Sequence, residues 1–565
     1  MPTIEVSIND LEELTGKKLP RDIEELNDVL QAAKGEAERL EGDRLTLSIE
    51  DANRPDLWSV EGFAMEMRGA LGAERGLPAF PFKKSNFTIK VDANLKEIRP
   101  YIAAAIIKGV RLTDDIIKGL MQTQDKIDGT YGRSRRKSSI GLYNFDLLSW
   151  PLTYESGSPQ ENPFVPLGFG EKMLPADIIK KHPKGQEYGK LLAGASRWPI
   201  FKDAEGKMLS LPPITNSADL GRITEQTTNI LIEVTGTDWA TVSNALRIMT
   251  IALTERGGQV IPVTVEYPYS VAGSRKIITP DFEPRKIRAK VEEINCLLGT
   301  ELSGAQMVTL LAKAHCKAQA KGSTLDVQVP AWRTDVMHWV DIAEDIAIHH
   351  GYQKFEPIPP ALPTVGASAP REKYSDRIRE LLIGLKMQEV LNFTLTNTND
   401  LLAKMNMTQE RLIELENPVS SEYAVLRNWL LPGLLRFLAS NRIHEYPQKI
   451  FEVGDCVVTD ALAAERSRTM RKVAFAVAHD KVNFTEAKSK IEALLRNMGI
   501  EWSISPCSHP SFIESRCGEI KVKGKPAGFL GEIRPEVLAN WGIEMPVIAA
   551  EIDLDQLAPQ KSEQG

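Results

Sequence analysis

The chain has 565 residues, 42% hydrophobic and 26% charged, the balance of an ordinary globular protein of several domains. Its net charge of −7 excludes a free-standing basic nucleic-acid binder, so any RNA contact has to be local or carried by a partner. The five cysteines form no CxxC pair and read as free thiols of a reducing compartment. With no signal-peptide core and no run of about twenty apolar residues to span a membrane, a cytoplasmic location is expected.

Residues 1–88 read as a first unit. Ile4, Val6 and Ile8 alternate as a short strand, Asp10 is placed to cap a helix that stops at Gly16, and 22–33 has helical spacing. A strand is expected over 45–51, then a helix capped by Asp56 with Val60, Phe63, Ala64 and Met67 as its apolar stripe. Arg54 and Asp56 are expected to tie this loop to its neighbours. Residues 89–268 mix strands (101–110, 139–145, 229–237, 259–267) with helices (113–127, 239–257), an α+β pattern. In 269–354, a helix is expected to run through 279–299 and a second through 299–316, followed by a strand before an acidic helix. The proline-rich segment 355–370 reads as an extended linker.

Residues 371–565 open with a helix that presents Tyr374, Ile378, Leu381, Leu382 and Leu385 on one face. A strand over 389–397 follows, then a long helix within 417–442 broken near Pro432 and Gly433. Strands are expected at 449–458, 472–480, 518–533 and 546–555, with a fraying polar tail from Leu557. No internal repeat at a fixed period is evident.

The stretch from Arg333 to Ala347 holds the densest chemistry. Asp335 comes first, and Asp341, Glu344 and Asp345 follow at i, i+3 and i+4, three carboxylates on one helix face. Their repulsion weakens an isolated helix, a cation would remove the penalty, and an all-oxygen ligand set suits Mg²⁺ or Ca²⁺. A solvated acidic face is the alternative reading of the same spacing. Two other runs carry polar candidates. Glu233 and Thr235 are two apart, so a strand points both to one face. Ser210 precedes a Pro-Pro turn, and Asn216 follows it. The most basic patch is 132–139, where Arg133, Arg135, Arg136 and Lys137 stand among glycine and serine; it suits phosphate contact, or is a solvated loop.

Pro330, Arg333, Asp335, Asp341, Glu344, Asp345, Gly351 and Tyr352 together resemble the synthetase-associated domain of the phenylalanine–tRNA ligase β-subunit family. The run Asn53-Arg54-Pro55-Asp56 with Ser59 and Gly62 resembles that family's N-terminal domain, and LPPIxNS with VTGTD resembles its archaeal-type editing domain. Asn417-Pro418, Ser421-Glu422, Leu426-Arg427, Leu431-Pro432-Gly433-Leu434, Phe451-Glu452-Val453-Gly454 and Gly531-Glu532-Ile533 are similar to its class II synthetase-like module.

The resemblance implies an α+β multidomain chain with an editing domain, a small helix-rich domain and a class II antiparallel sheet module lacking catalytic residues. It implies magnesium held by Asp335, Asp341, Glu344 and Asp345 at a junction with an α subunit, an α2β2 assembly, and ATP and phenylalanine bound by that α subunit. Only Gln556 and then LAPQKSEQG follow the last expected strand, so the arginine that class II ligases place after it is expected to be missing. The helix of the 417–442 region is then expected at a subunit interface. The missing N-terminal oligonucleotide-binding insertion and C-terminal anticodon domain fit the archaeal and eukaryotic-cytosolic type.

Phenylalanine and tyrosine differ by one hydroxyl, which an apolar pocket rejects by only ~10²-fold, so a second, hydrolytic site is expected. Ser210, Asn216, Glu233 and Thr235 are its implied residues, with Glu233 reading the tyrosyl hydroxyl and water attacking without a covalent intermediate. A free-standing deacylase of mischarged tRNA, or an assembly subunit whose editing site has decayed, are the rival readings.

Overall fold

The computed structural model describes residues 2–80, 85–362, 364–408 and 410–557, which fall into two compact units, 1–358 and 359–565. The expected fraying tail lies outside the described residues from 558 on. Among the described residues no helix is long and apolar enough to cross a membrane.

The first unit holds three sheets. Thr3–Ser7, Arg44–Ile49 and Gly35–Glu41 form an antiparallel sheet with Arg44–Ile49 central. Helices Ile8–Thr15, Ile23–Leu30 and Val60–Ala70 cover it. The cap of the first helix is Ser7, whose hydroxyl accepts from Asp10 N–H, so Asp10 sits inside the first turn, where its carboxylate meets Arg256. Ser59 caps the third helix; Asp56 does not, because Arg54 holds its carboxylate.

The same plan recurs near the end of this unit. Arg285–Lys290, Thr324–Val329 and Lys317–Lys321 form a sheet of identical order and sense. Helices Val291–Leu298, Gly304–Lys313 and Trp339–His350 cover that sheet. Arg285–Lys290, expected as the start of a helix, is a strand: Ile287 and Ala289 alternate inward, and pairing with Thr324–Val329 outweighs helical spacing.

Details match across the two copies. The first helices end at Gly16 (φ 68°) and Gly299 (φ 67°), both left-handed caps that favour glycine. Leu19 N–H donates to Glu12 Oε1 at 2.8 Å, and Leu302 N–H to Asn295 Oδ1 at 2.9 Å. Lys34 (φ 61°) and His315 (φ 56°) occupy equivalent left-handed positions. Each Lys34-type position reaches the other copy: Lys34 Nζ donates to Glu344 Oε1 at 3.0 Å, and His315 Nε2 meets the Met65 carbonyl at 2.8 Å. This is the reciprocity of an isologous pair. The repeat is therefore real but its spacing shrinks along the chain, so no fixed period exposes it.

Between the copies lies a ten-stranded mixed sheet. From one edge it runs Thr215–Asn216, Met208–Leu211, Trp198–Lys202, Leu152–Gly157, Thr88–Val91, Gln259–Val271, Tyr101–Lys108, Asn229–Gly236 and Ser138–Asn144; Ser274–Thr279 pairs with Gln259–Val271. The sheet therefore continues beyond the expected boundary at 268. Ile230, Ile232 and Val234 pack into the core shared with helix Trp239–Glu255. Leu231, Glu233 and Thr235 take the other face, where Leu231 joins Tyr143, Tyr154 and Phe201.

The second unit is built on a seven-stranded sheet. Its order is Gln388–Glu389, Gln448–Thr459, Ser467–Ala478, Val547–Asp553, Lys525–Ile533, Phe512–Val522 and Trp502–Pro506, all antiparallel except the first pair. Helices Pro370–Gly384 and Phe484–Asn497 pack on one face, with Ile378 and Leu382 buried as the helical stripe requires. Leu431–Ser440 and Pro535–Trp541 pack on the other. The long helix expected within 417–442 reduces to Leu431–Ser440, with Pro432 in its first turn, where a missing N–H costs nothing. Glu551, reaching across from the central strand, accepts from Leu430 and Leu431 N–H at 2.9 and 3.0 Å and fixes that start. The strand expected over 389–397 reduces to two short pairings.

Candidate functional site

Glu233 sits mid-strand, directly opposite Gly141 on one neighbour and Ala104 on the other. A Cβ at position 141 would lie 2.6 Å from Glu233 Oε2 and 2.7 Å from the Tyr143 hydroxyl, so only glycine lets these two side chains share the space. The Tyr143 oxygen is 3.0 Å from Glu233 Oε2 and 3.2 Å from Asn216 Oδ1. Asn216 reaches it from the sheet edge, its Nδ2 donating to the Leu142 carbonyl at 3.2 Å. Ser210 lies in the adjoining strand, opposite Asn216.

Ser210, Asn216 and Glu233 line one cavity of about 320 Å³, with Arg135, Ser139 and His182 among its other walls. The volume falls within the range of small-ligand sites. Glu233 is 3% exposed, and its Oε1 has no hydrogen-bond partner, as is true of the Ser210 hydroxyl. Burial pushes the Glu233 carboxyl up to about 7, against the opposing pull of Tyr143, Arg99 and Thr235. Thr235, the fourth expected residue, is fully buried and stands behind the cavity: its hydroxyl accepts from Arg99 Nε at 3.0 Å.

Arg99 was not legible as part of this site. It is buried, and it donates to the Thr235 hydroxyl and carbonyl, the Ser139 hydroxyl and the Arg135 and Arg136 carbonyls. These acceptors are all neutral. His182 is also new, but both its ring nitrogens are occupied, one by the Leu167 carbonyl at 3.0 Å and one by Lys184 N–H at 3.1 Å. Tyr143 was not singled out in the sequence either; its alternation with Gly141 along one strand is the signal that could have found it.

The basic loop divides. Arg133, Ser134 and Arg135 are three successive left-handed residues, and the turn sends their side chains apart. Arg133 and Arg136 are exposed, and Lys137 lies half-buried 3.5 Å from Asp238. Arg135 does not belong with them as a surface RNA contact. It is buried, donates to the Pro213 and Ile214 carbonyls at 3.0 and 3.1 Å, and stacks over Tyr188 at 4.5 Å. It clamps the Pro-Pro turn that carries Asn216 and walls the cavity.

The four acidic candidates around the last helix of the repeat are engaged by three different sets of donors. Arg333, fully buried, donates to Asp335 Oδ2 at 2.8 Å and to Asp345 at 3.0 and 3.1 Å. Asp341 turns back on its own helix start and accepts from Met337 and His338 N–H, both at 2.7 Å. Glu344 meets Lys34. In the other copy, Arg54 repeats the scheme with Asp56 at 2.7 Å and Glu66 at 2.8 Å, and its Nε lies 3.9 Å from Asp335. Burial alone would raise Asp335, but Arg333 and Arg54 outweigh it and hold its carboxyl below the usual range. Among the described residues no group of three or more His, Cys, Asp or Glu side chains is arranged to hold a metal ion. As they stand within this chain, Asp335, Asp341, Glu344 and Asp345 do not fit a magnesium site.

Comparison with known proteins gives a consistent pattern. Residues 356–554 match the phenylalanyl tRNA synthetase beta chain CLM domain, and residues 287–352 match the tRNA synthetase B5 domain. The chain is 41% identical over 561 residues to the phenylalanine–tRNA ligase beta subunit of Pyrococcus horikoshii, covering 99% of this chain and 100% of that one. It is 37% identical over 558 residues to the subunit of the same name from Thermofilum pendens, covering 98% of each. The crystal structure of an N-terminal fragment of the phenylalanyl-tRNA synthetase beta subunit from Pyrococcus horikoshii superposes with a TM-score of 0.59 at 40% identity, covering 62% of this chain and all of the fragment.

Proposed function

Since the chain belongs to the phenylalanine–tRNA ligase β-subunit family, we propose that it works with an α subunit in attaching phenylalanine to tRNA, and that it hydrolyses tRNA mischarged with tyrosine. The observation that carries the second part is Glu233: a buried carboxyl whose Oε1 is unpartnered, in a cavity of about 320 Å³ shared with Ser210 and Asn216.

In this reading the tyrosyl ring enters along the apolar wall and its hydroxyl donates to Glu233 Oε1. A phenylalanyl ring leaves that buried oxygen unpaired, the kind of mismatch that separates substrates differing by one polar group. The Ser210 hydroxyl and the Asn216 amide, on adjoining strands, are positioned to hold the ester and a water. Water adds to the ester carbonyl, the terminal ribose oxygen of the tRNA leaves with the proton, and free tyrosine results. His182 is not the base, since both its nitrogens are occupied. Positioning and the neighbouring ribose hydroxyl take the place of a dedicated base. Arg133, Arg136 and Lys137, near the same end of the domain, supply phosphate contacts for the acylated end.

Synthesis itself is assigned to the α subunit, with its ATP and phenylalanine, in an α2β2 assembly in a cytoplasmic setting. In the second unit, charges around the start of the helix Leu431–Ser440 are paired with each other, Arg427 with Glu452 at 2.6 Å and Lys472 with Glu551 at 3.0 Å. Such pairs support a structural role for this module. No step is assigned to magnesium, for which these carboxylates do not fit.

The experiment is to assemble the chain with its cognate α subunit and to follow both Phe-tRNA formation and Tyr-tRNA decay. The α subunit alone should form little Phe-tRNA, and the assembly should form Phe-tRNA and clear Tyr-tRNA. Persistence of Tyr-tRNA in the presence of the active assembly would overturn the hydrolytic part and favour a subunit that only scaffolds.

A further inference from the structure

We infer that Glu233 is held as a neutral acid, the donor at the head of a hydrogen-bond chain through Tyr143 to Asn216, and that Tyr143 is the positioning residue that leaves Glu233 Oε1 to read a phenol. This rests on the hydrolytic reading given above. Proton counting carries it. Asn216 Nδ2 donates to the Leu142 carbonyl, which fixes the amide with Oδ1 toward Tyr143. The Tyr143 oxygen therefore faces two acceptors, Asn216 Oδ1 at 3.2 Å and Glu233 Oε2 at 3.0 Å, and owns one hydrogen. If that hydrogen goes to Asn216, the contact with Glu233 needs a proton of its own. A protonated Glu233 supplies it, and each contact from Glu233 Oε2 through Tyr143 and Asn216 to the Leu142 carbonyl then has one hydrogen and one acceptor.

The charges around Glu233 agree. Arg99 approaches from the segment before Tyr101–Lys108, but its donors go to five neutral acceptors. From Ser138–Asn144 the facing group is Tyr143, and from Leu152–Gly157 it is Tyr154, whose hydroxyl donates to the Arg99 carbonyl. Thr235, two residues on along the same strand, draws the Glu233 value down slightly, less than Tyr143 and Arg99 do. Arg135, His182 and Lys184 line the cavity farther out. With no cation paired to it, the buried carboxyl is pushed up to about 7 by desolvation. Oε1 is then the carbonyl oxygen of an acid, an acceptor only, and it selects a ligand that brings a hydrogen.

A phenol donating to Oε1 favours the ionised form, so tyrosyl binding and proton release are coupled. The test is steady-state hydrolysis of Tyr-tRNA by the assembled enzyme from about pH 6 to about pH 8.5, a span that brackets the raised Glu233 value. The wild-type KM should fall as pH rises through about 7, since an ionised acceptor binds the phenol more strongly. Glu233→Gln keeps a donor toward Tyr143 and an acceptor toward the phenol. It should stay within about threefold of wild type below pH 7 and lose the pH dependence of KM, while Glu233→Ala should lose at least about tenfold. When Glu233 ionises, the Tyr143 hydrogen turns to it in a charge-assisted bond stronger than the one the neutral acid makes; Tyr143→Phe removes both, so the midpoint of the KM profile should move to higher pH, a shift that mere loosening of the core would not give. A Gln variant as impaired as the Ala variant below pH 7, or a flat wild-type KM profile, would overturn the inference. A Glu233→Ala enzyme as fast as wild type would instead overturn the hydrolytic reading beneath it.

Discussion

The two buried arginines show how single residues knit the first unit together. Arg54 and Arg333 have no exposed surface to speak of, and each is held by a carboxylate two residues on and another twelve on. Removing one arginine leaves two buried carboxylates without their cation. Arg333→Ala should therefore destabilise the unit by about 3–5 kcal/mol, read by urea unfolding with the buried Trp58 and Trp332 as fluorescence reporters. The pH consequence has a definite sign. The folded Asp335 carboxyl lies below its ordinary value, so its contribution is present above the unfolded value and is lost as pH falls through the folded one. Acid titration of the wild type should show that loss, and Asp335→Asn should be less stable near neutrality and flatter toward acid. The sequence already assigned Arg54 and Asp56 to this tying role, because Arg-x-Asp before a helix is a short-range bond. It could not tell that Asp335 and Asp345 answer to Arg333 in place of a metal ion, since that depends on burial of the guanidinium.

At the level of elements, the sites are where strand pairing puts them. Glu233 and Thr235 share a face as their spacing requires, yet only Glu233 lines the cavity, while the Thr235 hydroxyl accepts from the buried Arg99. Gly141, directly across from Glu233, is the position most sensitive to a small change. Gly141→Ala would set a methyl against Glu233 Oε2 and the Tyr143 hydroxyl. The expected result is at least about a tenfold loss in Tyr-tRNA hydrolysis, with Phe-tRNA formation by the assembly unchanged. Strong periodic elements were legible: the buried strands near 101–108 and 229–236 and the helix over 239–255 fall where their apolar runs place them. Arg285–Lys290 was not, because its charges fit a helix and only a distant partner strand makes it β. Residues 417–430 misled in the same way, since Pro432 begins a helix there and does not break one.

Over the whole chain, the mixed sheet carrying the cavity lies in sequence between two copies of one small fold, each closing on a buried arginine. The duplication escaped the sequence because only a handful of positions, the capping glycines, the hairpin glycines Gly42 and Gly322 and the two Arg-x-Asp runs, survive in both copies at drifting separations. The family itself was legible, since its motif blocks are local. The roles of the acidic residues were not, since they depend on which of several buried cations each one meets. The most direct measurement is the decay of Tyr-tRNA and the formation of Phe-tRNA on the assembled enzyme with Glu233 intact and with Glu233→Ala. Tyrosyl hydrolysis should fall at least about tenfold in the variant while Phe-tRNA formation is untouched. Equal rates of tyrosyl release from both enzymes would place the proofreading somewhere other than this cavity.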